Sequence, residues 1–376
     1  MMKGGFTWCF FIIGVDMKSE YLLIDPRPLE AFKDQTFSGF KKSDVFKALF
    51  KSIDTSKIED ACYWMVECIC SGYCQEVLEK CMLHSSKVIH INSPNLPIFL
   101  VRRYQTFLRS MDHIPVKERA KLIHLRNSLD IRHNLIDVAV TLAMAPKSKR
   151  YDALPKVDPK THFQFATIKE AMNATMQILP ATLMKFTDPD ELRIIMNEIF
   201  FNLKNTHGGY EKVCYWIGWL VLWEKRNKLM KQSYEIEGRP IQHVNPKYCK
   251  DMIWLVWELV FEEASLRDPA LKAPIQALFQ LFRQDFTSGK RQSRLVYLYH
   301  SVGYLTLPCN PKVGIRPRQD IFLQTQCNVN LLFKGKKNNE VKEYIAPPQP
   351  PKKLKGLEQE IVASRLRDLQ DLELFR

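Results

Sequence analysis

The chain has 376 residues, 46% of them hydrophobic, with only 14 glycines and a formal net charge of +14. That length holds one large or two medium globular cores, and scarce glycine with few alternating segments argues against a sheet protein. The charge attracts polyanions such as nucleic acid or an acidic membrane surface, and it serves equally as plain solvation.

The first residues, "MMKGGFTWCFFIIGV", are too short for a membrane span and carry no convincing cleavage site. Two readings stand: an extension upstream of a start at Met17, or a weak signal or anchor. Residues 1–42 read as an irregular segment, with residues 1–16 open to question as native sequence. Ser43-Asp44 has the form of a helix cap. The stretch "IEDACYWMVECIC" then predicts a helix from Ile58 to Cys70 that is apolar on every side. A helix of that pattern is buried on all sides. Its core set is Cys62, Tyr63, Trp64 and Met65. Glu67 is the one charge between Ala61 and Cys70, and Ser71-Gly72 supplies the stop. A helix follows through "QEVLEKCMLHSS". A proline-punctuated turn, "INSPNLP", leads into another, and residues 111–128 are basic and polar. "LDIRHNLIDVAVTLAMA" predicts a helix that Pro146 ends.

Residues 43–150 therefore form a first helical domain, and 151–168 read as a linker. Residues 169–305 form a second, Trp-rich helical block whose core includes Trp216 and Trp254. In "TDPDEL" Asp188 is expected to cap a helix, with Pro189 in its first turn and Glu191 reaching back. "NPKY" at Asn245 and "RDPA" at Arg267 repeat that grammar. "ACYWMVECI" and "VCYWIGWLV" share Cys-Tyr-Trp, as a duplicated unit or by chance. Residues 306–356 read as an irregular tail, with "DIFLQTQCNVNLLF" as a candidate hairpin and "APPQPPKKLKG" as a polyproline-like linker. Residues 357–376 carry Val362, Leu366, Leu369 and Leu372 on one stripe, the pattern of a docking helix. The fold class is all-α: two helical bundle blocks and a mostly irregular C-terminal tail.

No catalytic spacing appears. "SGK" at Ser288–Lys290 lacks the glycines that cradle phosphate. Cys74, Cys81 and His84 share a helix but lack a Cys-x-x-Cys knuckle, so buried thiols are the better account. The ten cysteines form no disulfide scaffold. His133 and Asp137, one turn apart, read as a polar pair. Glu67 could carry a raised pKa, or pair with a Lys or Arg. No metal or cofactor is expected. The basic clusters carry the functional signal. They are Lys117, Arg119 and Lys121; Lys147, Lys149 and Arg150; Arg283, Lys290, Arg291 and Arg294; and, in the tail, Lys334, Lys336, Lys337, Lys352, Lys353 and Lys355. Such clusters displace counterions from a phosphate backbone without reading sequence.

Residues 44–151 resemble the helical region that follows the ATPase core in RarA/MgsA-type and Werner-helicase-interacting-protein-type AAA+ ATPases. The resemblance rests on "FKSIDTSKIEDACYW", "SG" at Ser71, "INSPNLP" at Ile91 and "AVTLAMAPKSKRY" at Ala139, in the family's order. The chain departs from it by an extra basic segment around residues 111–126 and by lacking the ATP-binding part. In that family this region is an oligomerisation collar without catalytic residues, which implies packing and assembly here. The chain also resembles an uncharacterised protein family of nucleocytoplasmic large DNA viruses, through "NSPNLP", "DPDELRIIMNE", "CYWIGW" and "KDMIWLVWEL". That resemblance spans most of residues 44–305. It implies a viral protein of the host cytoplasm or nucleus, or of the virion. The expected function is a non-catalytic basic scaffold that binds nucleic acid or assembles a replication or transcription complex with viral proteins or further copies of itself. A structural virion protein and an enzyme of unknown class are the alternatives. No membrane partner is expected.

Overall fold

The computed structural model describes residues 19–115, 122–148 and 156–345. Lys117, Arg119, Lys121, Lys149, Arg150, Lys352, Lys353, Lys355, residues 1–16 and the docking-helix segment 357–376 lie outside the described residues. Among those described are fourteen α-helices and no β-strand, the one bridge being an isolated pairing of Gln35 with Lys41. The protein is all-α.

The first block comprises α1 (Lys42–Asp54), α2 (Ile58–Cys70), α3 (Cys74–Val88), α4 (Leu96–Asp112), α5 (Leu122–Asn127) and α6 (Leu129–Met144). α6 is its axis: α2 and α4 pack along it, and α1 packs on α2. Twelve of its sixteen residues are buried, and the polar ones among them, Arg132, Asn134, Asp137 and Thr141, are each hydrogen-bonded. α2 ends as Ser71-Gly72 predicts. The Tyr73 N–H reaches the Cys68 carbonyl and the Gly72 N–H that of Ile69, the paired closure of a helix with a left-handed residue past its end. Gly72 has φ +80°, and a Cβ there would sit 2.6 Å from Leu122 and 2.9 Å from Leu29. Only glycine fits. Pro146 follows the end of α6. α1, however, starts at Lys42 with no side-chain cap, so Ser43 and Asp44 lie inside its first turn.

The second block comprises α7 (Phe165–Ala171), α8 (Asp190–Leu203), α9 (Gly209–Leu229), α10 (Ile253–Ser265), α11 (Lys272–Arg283) and α12 (Ser288–Thr306). α8 packs on α9 and α10. α11 and α12 pair with each other and also reach the first block, α11 on α4 and α12 on α3. One apolar core therefore runs through both blocks. Trp254 and Trp257 meet Phe279 and Phe282 at 5.1–6.1 Å between ring centroids. Each such ring removes ~150–250 Å² from water. The expected linker is tied to this block over part of its described length: Trp219 Nε1 donates to the His162 carbonyl at 2.9 Å, and Phe163 lies against Trp219. Asn245 and Asp268 accept the N–H bonds their grammar predicts.

The expected hairpin is instead a pair of helices, α13 (Gln319–Cys327) and α14 (Val329–Lys334), followed by a 3₁₀ turn at Gly335–Asn339. Within the expected irregular tail, residues 319–339 are thus helical, while 307–318 and 340–345 are irregular. α13 lies on α6, and α14 lies on α2 and α6. Val329 and Phe333, one helical turn apart, are fully buried there. Apolar residues so spaced serve a helix, and the short run that alternated locally misread as strand. α13 fully buries no residue of its own; its half-buried Phe322 packs against the core, and polar contacts such as His133 to Gln326 at 2.7 Å add to the attachment. Cys327, at its end, is exposed. No helix among the described residues is long and apolar enough to cross a membrane.

Candidate nucleic-acid interface

Most of the described basic residues singled out from the sequence are engaged in holding the fold. Arg291 donates to both oxygens of Asp251 at 2.7 and 2.8 Å and to Glu224. It is buried between α9 and the start of α10. Burial would raise the Glu224 carboxyl, but the hydrogen bonds and charge of Arg291 outweigh it and hold it low. Burial instead raises Asp251. Arg294 donates to the Phe282 and Gln284 carbonyls and so closes the C-terminus of α11. Arg283 donates to the Gln242 carbonyl at 3.1 Å and lies over the Phe279 ring. Lys147 folds back to donate to the carbonyls of Leu142, Ala143 and Ala145 at 2.8, 3.1 and 2.6 Å. This satisfies the orphan carbonyls at the end of α6, and burial pushes its pKa down to about 8. Lys290 alone of these five is exposed. The expected cluster of Arg283, Lys290, Arg291 and Arg294 is thus not one free basic face. A cation bonded to buried acids or helix-end carbonyls has little left for a phosphate.

Two acids organise structure in ways the sequence hides. Asp188 does not cap α8, which begins at Asp190. It accepts from the Lys185 N–H and the Glu237 N–H at 2.8 Å, and from Arg239 at 2.7 Å. That buried pair ties residues 183–188 to the segment before α10. Glu67 accepts from the Ser38 N–H and Oγ, each at 2.7 Å, and from the Lys336 ammonium. Burial alone would raise Glu67, but the Lys336 charge beside it prevails and holds its pKa low. The pairing reading of Glu67 is the one found.

Glu67 matters because of what it positions. The turn Thr36–Lys41 is closed by the Thr36 N–H on the Phe40 carbonyl at 2.8 Å. The Phe37 N–H also reaches Ser71 Oγ at 2.8 Å. The turn is thus bolted to the buried end of α2, and it delivers Lys41 to the start of α1. There Lys33, Lys41, Lys42 and Lys80 surround a hollow of about 680 Å³ that also includes Asp34. Glu76 bridges Lys42 and Lys80 at 2.7 and 3.2 Å. Lys42 lies over the Tyr73 ring and Lys80 over Phe46, which fixes their stems. Lys33 and Lys41 form no ion pair among the described residues and are exposed. The uncapped first turn of α1 adds its positive end to the same hollow. The Lys41-Lys42 pair after a glycine turn was the available sequence signal; Lys33 and Lys80 join it only through folding.

Neither the metal nor the dyad candidate assembles into a site. Cys74 and Cys81 are fully buried thiols, and burial pushes Cys81 up to about 12. His84 meets Asp54 at 2.6 Å. Asp137 meets Arg316 and Arg103 rather than His133. Among the described residues no cluster of three His, Cys, Asp or Glu side chains could hold a metal ion. Of the expected core, Cys62, Met65, Trp216 and Trp254 are at most 2% exposed. Trp64 is half-buried, and Tyr63 is 44% exposed, contrary to the reading of α2 as buried all round. The rest of α2 is covered by α1 and α6, with α3, α5 and α14 also in contact; at the Tyr63 edge the described residues leave the ring partly open, with Lys336 lying over it. No family model matches the chain, and no curated protein or solved structure matches it at a significant level.

Proposed function

We propose that the protein is a non-catalytic, basic helical scaffold that binds nucleic acid without sequence preference through the lysine hollow at the start of α1. The observation that carries this is the convergence of Lys33, Lys41, Lys42 and Lys80 on one concavity, with two of the four unpaired. Ammonium groups gathered at a concave surface suit a phosphate backbone, whose contacts release counterions and carry no base information. The engagement of Glu67, Asp188, Glu224 and Asp251 in structural ion pairs supports a non-catalytic role. The resemblance of residues 44–151 to an AAA+ collar supports assembly into a larger complex, and the viral resemblance supports a place in replication or transcription. The test is fluorescence anisotropy with a labelled duplex across a salt series. Binding is expected to weaken log-linearly with salt, and the Lys33→Glu/Lys41→Glu double variant to flatten that slope by about 2 if each lysine meets one phosphate. Absence of binding at low salt, or an unchanged slope in the variant, refutes the hollow as the site.

A further inference from the structure

Next along the chain from Lys41 of the hollow, Phe40 belongs to a group of aromatic rings that the described residues leave partly open. Phe40 is 40% exposed and Tyr63 44%, with the half-buried Trp64 between them. The Phe40 and Trp64 centroids are 5.5 Å apart, those of Tyr63 and Trp64 5.0 Å, and both pairs meet edge to face. Exposed single aromatics are ordinary, but three in contact are a surface feature that calls for an occupant. These rings are also held in place. Phe40 sits on the turn that Glu67 clamps through Ser38. The Lys336 ammonium lies 3.8 Å from the Tyr63 ring centroid. That ammonium is itself buried and paired with Glu67. A ring fixed in advance loses little entropy on binding.

The neighbourhood says what the occupant is. Phe40 is followed directly by Lys41, a wall of the hollow. Lys41 is extended, so the Phe40 ring and the Lys41 ammonium leave one stretch of backbone on opposite sides, and a chain stacked on Phe40 reaches the hollow by crossing that single strand of backbone. At the other end, Glu59 and Asp60 are exposed one turn before Tyr63 and Trp64. Asp60 is only loosely matched by Lys57, at 3.9 Å. Negative charge is repelled at that end and drawn toward the hollow, which gives a polyanion a direction. Flat groups alternating with phosphates are the chemistry of a nucleic acid. In a duplex the base faces are already stacked on one another, so open rings offer it nothing. In a single strand they are free to stack on protein rings.

We propose that Phe40, Trp64 and Tyr63 form a stacking platform for the bases of a single-stranded nucleic acid whose backbone runs on into the lysine hollow. This rests on the hollow being the phosphate site, and the test separates the two. Anisotropy is measured with fluorescein-labelled oligo-dT and with a labelled duplex of equal phosphate count, at one low salt concentration. Tyr63→Ala is expected to weaken oligo-dT binding roughly 5- to 100-fold and to leave duplex binding unchanged. Tyr63→Phe, which keeps the ring, is expected to restore it. Phe40→Ala serves as an independent second variant should Tyr63→Ala melt early. Lys33→Glu/Lys41→Glu is expected to weaken both ligands. Equal affinity for the two ligands with no response to Tyr63→Ala and Phe40→Ala overturns the platform and leaves the hollow standing. A parallel loss on both ligands in these variants overturns it as well. No binding of either ligand by the unaltered protein overturns the hollow and the platform together.

Discussion

α2 and α9 carry the same tripeptide and use it in opposite ways. In α9 the Cys214-Tyr215-Trp216 run lies where α8 and α12 cover the helix, and Trp216 is fully buried. In α2 the cysteine is buried likewise, but Tyr63 is 44% exposed and Trp64 half-buried, because no described helix covers that edge as α8 and α12 cover α9. The internal geometry is nearly conserved: Tyr and Trp centroids stand 5.0 Å apart in α2 and 5.1 Å in α9. The tripeptide is thus a local shape, and its role is set by what the tertiary fold lays over it. Both helices also bury a glutamate paired with a cation from far along the chain. Glu67 meets Lys336, 269 residues on, and Glu224 meets Arg291, 67 residues on.

The sharpest separation should come from the tryptophans. Trp216→Ala is expected to cost about 3–5 kcal/mol as a fully buried aromatic truncation, and Trp64→Ala about 1–2 kcal/mol because less area is lost. Equal losses in thermal unfolding would break the comparison. The glutamates should separate in the reverse direction. Glu67→Ala leaves Lys336 buried without a counter-charge and is expected to cost about 3–5 kcal/mol. Glu224→Ala leaves Arg291 its two bonds to Asp251 and is expected to cost about 1–2 kcal/mol. Urea midpoints for the two variants would check the difference.

Acid sharpens the same contrast. The Glu67 pKa is held below its ordinary value of 4.5. Its contribution is therefore present above that pH and is lost as pH falls below it. Glu67→Gln should flatten stability against pH in that window. In the second block the raised Asp251 works against the lowered Glu224, so Glu224→Gln should change the slope less. A separate loss should begin earlier, at His300 on α12. Burial, with His90 nearby, holds its pKa well below 6.5. The unfolded chain takes up that proton first, so stability falls as pH drops below 6.5, by at most about 1.4 kcal/mol per pH unit. His300→Gln should remove that early slope. The smallest stability effect is Tyr63→Ala, about 0.5–1 kcal/mol, since a partly exposed ring is lost together with its contact to the Lys336 ammonium. Its ligand preference for oligo-dT should move instead.

The helical class, the stop at Gly72, the end at Pro146 and the caps at Asn245 and Asp268 were legible because each is decided within one turn of chain. Asp188 was misread because Asp-Pro-x-Glu fits a cap equally well, while its real partner, Arg239, lies 51 residues away. α13 and α14 were misread because so short a stretch shows either period, and only packing on α6 and α2 chooses between them. The basic cluster around Arg291 failed for a related reason. Charge is visible in sequence, but whether a buried acid has already claimed it is a long-range fact. Tyr63 failed because an apolar circumference says that a helix can be covered, not that neighbours exist to cover it.

Of the nine described cysteines six are buried and only Cys327 is exposed. Burial pushes the Cys62 and Cys70 thiols up to about 12 as well. Alkylating reagents react with thiolates, so among the described cysteines Cys327 should label first, ahead of the half-buried Cys249 and Cys309. That position closes α13, the helix held to α6 without a fully buried residue of its own. A fluorophore placed there, with Cys9, Cys249 and Cys309 replaced by serine, would report directly on the attachment of that helix.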